Sequence, residues 1–174
     1  MIKIIRYTFF DLIRSSWTYF YLGFYLILSS ILLFLNHDIS KSVITLMNVI
    51  IILIPLISTI FGIMYYYNAR EFIELLLAQP IPRKHIFLGQ YLGISLSLSL
   101  SLIIGLGIPF LLYGLFLSPD IFNFIMLIIT GVFLSFIFVG FSYLIGLYYE
   151  NKIKGFSLAI FIWLFMAVIF DGIF

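Results

Sequence analysis

The chain contains no cysteine, which excludes disulfides, thiolate metal sites and cysteine nucleophiles. Charge is also scarce. Only 9% of the 174 residues are Asp, Glu, Lys or Arg, about a third of what a soluble domain carries, so a solvated globular core is excluded as the organising principle. No G-x-x-x-x-G-K-[S/T] phosphate loop occurs, so if ATP drives this protein another chain must hydrolyse it. His37 and His85 fall in polar segments separated by a long apolar run, and the methionines Met47, Met64, Met126 and Met166 are scattered. Neither set suggests a metal site or a cofactor. What remains is apolar: 64% of residues are hydrophobic, 20% are aromatic and the mean hydropathy is +1.27. The implied fold is all-α, a single polytopic transmembrane domain over residues 1–174.

The charged positions punctuate the apolar runs. From Met1 to Ser16, a helical wheel gathers Lys3, Arg6, Tyr7, Asp11 and Arg14 on one side and Ile2, Ile5, Phe9, Leu12 and Ile13 on the other. This predicts an amphipathic helix in the headgroup region, its basic side toward lipid phosphates. The long apolar run behind it and the lack of a small-x-small cleavage site argue against a signal peptide. Five spans are expected: Trp17–Leu35, Val43–Tyr67 with Pro55 inside, Ile86 to about Ile108, Ile121–Tyr149 and Phe156–Phe174. Gly105, Gly107 and Pro109 predict that the third span gives way to an irregular or re-entrant piece reaching Leu117. At Pro55, Ser58 and Thr59 are candidates to satisfy the carbonyl that proline frees. Asp171 is the only acid inside a hydrophobic run, near its end, where a carboxylate costs little.

Five spans place eight of the nine basic residues on one side: Lys3, Arg6, Arg14, Arg70, Arg83, Lys84, Lys152 and Lys154, with only Lys41 opposite. The positive-inside rule then puts the N-terminus, the Asn68–Tyr91 segment and the ENKIKG loop (Glu150–Gly155) in the cytoplasm. The third span also carries Gly89, Gly93, Ser97, Ser101 and Gly105, one small residue every four, a pattern that favours close helix packing.

The longest polar island is Asn68–Tyr91, NAREFIELLLAQPIPRKHIFLGQY. Arg70–Ala78 has helical character, with Glu71 and Glu74 one turn apart and Leu75, Leu76 and Leu77 behind them. Gln79 precedes Pro80 and ends the helix. Arg83, Lys84 and His85 form a basic cluster at the next span. A short helix lying along the membrane and tied to two spans suits the transmission of a push from a soluble partner. A solvated loop whose basic end binds anionic lipid is the plainer reading.

This segment resembles the coupling segment of ABC-2 type transporter permeases, most of all the permease of the nitrous-oxide reductase maturation transporter and its relatives. The matching residues are Glu71, Leu75, Leu76, Gln79, Pro80, Arg83, Leu88, Gly89 and Tyr91. Gln90 stands where that family often has Lys, and Phe72 and Ile73 stand where it often has small residues. The order of elements and the Trp-aromatic run closing in Asp171 are similar too. The resemblance implies a permease subunit without catalytic residues, in a bacterial inner membrane, with Arg70, Glu71, Glu74, Leu75, Leu76, Gln79, Pro80 and Arg83 docking on a separate ATP-binding subunit. It further implies a pair of permeases around the path, export or cofactor maturation outside the cytoplasm, an extracytoplasmic partner protein, and no nucleic acid. The family has six spans, so five are the expectation for a truncated product or a fragment. Two other classes compete: an intramembrane hydrolase, for which no span supplies clustered acids, His and Ser, and a structural or assembly factor with no transport path.

Overall fold

The computed structural model describes residues 2–78 and 82–173 and, within them, all side chains except those of residues 117 and 170–173. Gln79 and Pro80 lie outside that range, and the side chain of Asp171 is among those exceptions. The described chain is helical throughout: α1 (Ile2–Arg14), α2 (Ser16–Asn36), α3 (Ile39–Asn68), α4 (Arg70–Leu77), α5 (Arg83–Leu112), a 3-10 turn (Leu115–Leu117), α6 (Ile121–Tyr148) and α7 (Lys152–Ile173). Five of these, α2, α3, α5, α6 and α7, are long and apolar enough to cross a membrane. The protein is a multi-span, all-helical membrane protein. In lipid an unpaired backbone group has no water to turn to, so an apolar chain of this kind closes its hydrogen bonds within helices.

Helix α5 is the centre of the bundle. It packs against α1, α2 and α6 and touches α3, while α3 pairs chiefly with α6, and α7 packs against α3 and, less extensively, α6. Of the most apolar stretch of α5, 61% is buried, against 11% for α7. The four-residue stripe explains how one helix can have so many neighbours. A Cβ on Gly93 would sit 2.7 Å from Thr8 Cβ, and a Cβ on Gly105 would sit 2.7 Å from Tyr25 Cβ. The stripe therefore packs within one chain, against α1 near one end and α2 farther along. Ser101 Oγ donates to Ser97 O at 3.0 Å, so it satisfies itself on its own helix and leaves the stripe smooth.

Several expectations need correction. The third span neither ends near Ile108 nor turns re-entrant: α5 runs unbroken through Gly105, Gly107 and Pro109 to Leu112, where Gly114 in the left-handed region (φ 88°) turns the chain. Proline has no N–H and so deprives Gly105 O of its helical donor. Ser29 Oγ of α2 reaches that oxygen at 3.2 Å, sharing its one proton with Tyr25 O of its own helix at 2.7 Å. At Pro55 the carbonyl without a donor is that of Ile51, and the expected helpers go elsewhere. Thr59 Oγ1 donates to Pro55 O at 2.6 Å, and Ser58 Oγ is buried without a partner. A donor from α7 reaches this turn instead: Trp163 Nε1 bonds Ile52 O at 3.0 Å. The ENKIKG loop is shorter than expected, because Lys152, Lys154 and Gly155 already belong to α7. Asn151 Oδ1 accepts from Ile153 N at 2.9 Å and caps the first turn.

The two ends of the bundle differ in chemistry. At one end Asp38 caps α3 by accepting from Ser40 N at 3.0 Å, and the Ser40 hydroxyl hydrogen-bonds Asp120 at the start of α6. The α2–α3 and α5–α6 connections therefore meet, with Lys41 in the first turn of α3 the basic residue at this end. At the other end lie α1, α4, the first turn of α5 and the first turn of α7, which carry the remaining basic residues.

Candidate functional site

Helix α1 has the amphipathic division expected of it, centred slightly differently. Thr8 and Leu12 are buried, Ile5, Phe9 and Ile13 are half-buried, and Lys3, Arg6, Asp11 and Arg14 are exposed. Its apolar side faces α5 as well as any lipid, because Gly93 lets Thr8 approach and leaves Ile5 O 3.1 Å from where a Cβ would be.

Helix α4 sits beside it. Eight residues rise only about 12 Å, too short to be stable alone, so its neighbours must hold it. Ile73 is 4% exposed and is the anchor of the inner face, with Phe72 and Leu76 half-buried beside it. The Phe72 ring stacks on Tyr7 of α1, centroids 5.0 Å apart and planes inclined by 25°. Tyr65 Oη, near the end of α3, donates to Asp11 Oδ2 at 3.1 Å and closes the same junction.

On its other flank α4 is tied to the α6–α7 connection. Arg70 Nη1 donates to Glu150 O at 3.1 Å while its Nε bonds Glu74 Oε1 at 3.2 Å. Tyr67 Oη donates to Tyr149 O at 2.6 Å, and Lys152 Nζ donates to Asn68 Oδ1 at 3.2 Å. The Arg70–Glu74 pair is exposed on both partners, so its Coulomb gain is well under ~1 kcal/mol. What Arg70 contributes is a bridge, one side chain holding a helix to a loop eighty residues away.

The result is an outward face of mixed character. Glu71, Glu74 and Leu75 are exposed, and Leu75 is 68% so. This corrects the expectation that Leu75, Leu76 and Leu77 stand together behind the glutamates. Leu75 shares their face and Leu77 is exposed, whereas Leu76 turns inward with Ile73. The signal that finds the inner face is the spacing Ala69, Phe72, Ile73, Leu76, which three consecutive leucines obscure. Phe72 and Ile73 are the residues that fasten α4 down.

Arg83 is not brought to the glutamates. It opens α5 together with Lys84 and faces a groove between α5 and α6. Among the described residues the one ion pair is Arg70–Glu74. The expected site thus divides into an α4 surface (Arg70, Glu71, Glu74, Leu75), an inward support (Leu76) and a basic corner (Arg83). Sequence reasoning missed Tyr67, Glu150 and Lys152 as supports, because their contacts join segments remote in sequence. In comparison with known proteins, no family model and no curated protein matches the chain.

Proposed function

We propose that this protein is the membrane permease subunit of an ATP-driven exporter or maturation system, with α4 as the element that receives the motion of a separate ATP-binding subunit. The observation that carries this reading is the mounting of α4. It is fixed on two flanks, by Tyr7–Phe72 to α1 and by Arg70–Glu150 to the α6–α7 connection, while Glu71, Glu74 and Leu75 face outward. A loop that served only to connect two spans would need neither flank. A helix that receives a push needs both, because force passes through packed, directional contacts and is lost in slack ones. The basic residues gathered at this end support a cytoplasmic orientation under the positive-inside rule, the side on which a nucleotide-hydrolysing partner would work, and the proposed membrane is a bacterial inner membrane. Pairing of two permeases around a path belongs to the same reading.

The test is a mild-detergent pull-down of the tagged protein from its own membrane, with identification of what accompanies it. The expected result is a nucleotide-binding subunit that is lost from Glu71→Ala/Glu74→Ala while membrane insertion is unchanged. Recovery of the protein alone, or of unrelated membrane proteins, overturns the reading in favour of a structural or assembly role.

A further inference from the structure

A groove enclosing roughly 670 Å³ runs between the first turns of α5 and the second half of α6. Its walls are apolar, with Phe87 and Leu88 on one side and Phe141 and Leu144 on the other, and its mouth is Arg83 and Lys84. The deep end is closed by a crosslink: Tyr91 Oη donates to Phe136 O at 3.1 Å. The groove is open because Gly140 has no side chain. A Cβ there would meet only Tyr91 Cε2, at 3.5 Å.

Length and charge identify the occupant. From Leu147 to Phe136 is eleven helical steps, about 16 Å, close to half of a hydrocarbon core ~30 Å thick. The groove therefore spans one leaflet, from headgroup level to near the midplane. Both cations at its mouth are exposed, and no described carboxylate pairs with either. A second copy of the chain docked here through a two-fold axis would bring Arg83 and Lys84 toward their own counterparts, an unfavourable meeting of like charges. An amphiphile with an anionic head and an acyl tail satisfies both halves of the site.

We propose that this groove is a binding site for one anionic glycerophospholipid, its phosphate on Arg83 and Lys84 and one acyl chain lying over Gly140 down to Tyr91. The site is independent of the coupling role assigned to α4.

The experiment reconstitutes the whole chain in vesicles of equimolar phosphatidylglycerol and phosphatidylcholine, extracts it gently and reads the retained lipid by native mass spectrometry. Wild type is expected to keep one phosphatidylglycerol with a preference on the order of tenfold, the effect of two basic side chains near an anionic head. Arg83→Gln/Lys84→Gln, at exposed positions, is expected to keep a lipid without preference. Gly140→Leu fills the groove and is expected to lose retention. Should that variant not fold, Leu144→Trp, at a 64%-exposed position, fills the same space from its rim. Equal retention of both lipids by wild type, undiminished preference in the double variant, or a second copy of the chain shielding Gly140 from lipid each overturns the proposal.

Discussion

Ser29 and Pro109 lie on different helices and never bond each other, yet one compensates for the other. The Ser29 hydroxyl shares its one proton between Tyr25 O at 2.7 Å and, at 3.2 Å, Gly105 O, the carbonyl that the Pro109 ring leaves without a helical donor. Ser29→Ala is therefore expected to destabilise the protein by about 1–2 kcal/mol, the cost of a buried acceptor left bare. In a Pro109→Ala background, where an N–H returns to Gly105 O, the same substitution should cost markedly less. Unfolding in mixed micelles of the four variants of this cycle measures the difference. An equal cost in both backgrounds would show that the two residues act separately.

Gly93 and Gly23 are both helical glycines with opposite surroundings. A Cβ on Gly93 meets Thr8 at 2.7 Å, and one on Gly23 meets nothing within 4 Å. Gly93→Leu is expected to lower stability by about 1–3 kcal/mol, as overpacking does, and to loosen α1. Gly23→Leu should stay within about 0.5 kcal/mol of wild type. Thermal melts of the two variants in one detergent decide, and equal melts would remove the packing role of the stripe.

Trp163 supplies the donor from α7 to the Pro55 turn of α3. Trp163→Phe keeps the aromatic bulk and removes the N–H, with an expected cost of about 0.5–1.5 kcal/mol. Since α7 is the least buried of the five long helices, hydrogen exchange of its amides should rise more than that of α5. Uniform exchange across both helices would contradict the assignment.

Arg70 holds α4 to Glu150 O from an exposed position. Arg70→Gln is expected to change global stability by less than ~1 kcal/mol and to raise proteolytic cutting between α3 and α5 several-fold. Unchanged cutting would mean that α4 is held without this bridge.

The absence of cysteine makes each introduced thiol unique. Single cysteines at Lys3, Arg83 and Lys152 should react with an impermeant maleimide from one face of sealed vesicles, and those at Lys41 and Pro119 from the other. Labelling of Arg83→Cys together with Lys41→Cys from one face would overturn the two-ended arrangement.

Much of the fold was legible in the sequence, because apolar runs this long have few options in lipid. The five long helices, the amphipathic α1 and the short α4 all follow from run length and helical period. The stripe on α5 was legible as a close-packing surface, but its partners were not, since nothing local to Gly93 or Gly105 points to Thr8 or Tyr25. The prolines were misread for the same reason. Pro109 reads as a break when judged by its neighbours, whereas the group that rescues it lies seventy-six residues from Gly105. In the candidate site, the outward glutamates were evident from their one-turn spacing. The anchoring of Ile73, Phe72 and Leu76 was hidden inside a run of similar apolar letters, and the ties to Tyr149, Glu150 and Lys152 join segments some eighty residues apart.

The two proline turns also differ in when their cross-helix bonds can form during synthesis. Helix α2 is made before α5, so Ser29 is already in the bilayer when Gly105 and Pro109 arrive. The Pro55 turn of α3 gains its cross-helix bond late, because Trp163, which bonds Ile52 O and not the freed Ile51 O, emerges only after α4, α5 and α6. For that interval this turn of α3 lacks its tie to α7. The arrival of α7 is therefore the event that fixes this turn of α3 in the assembled bundle.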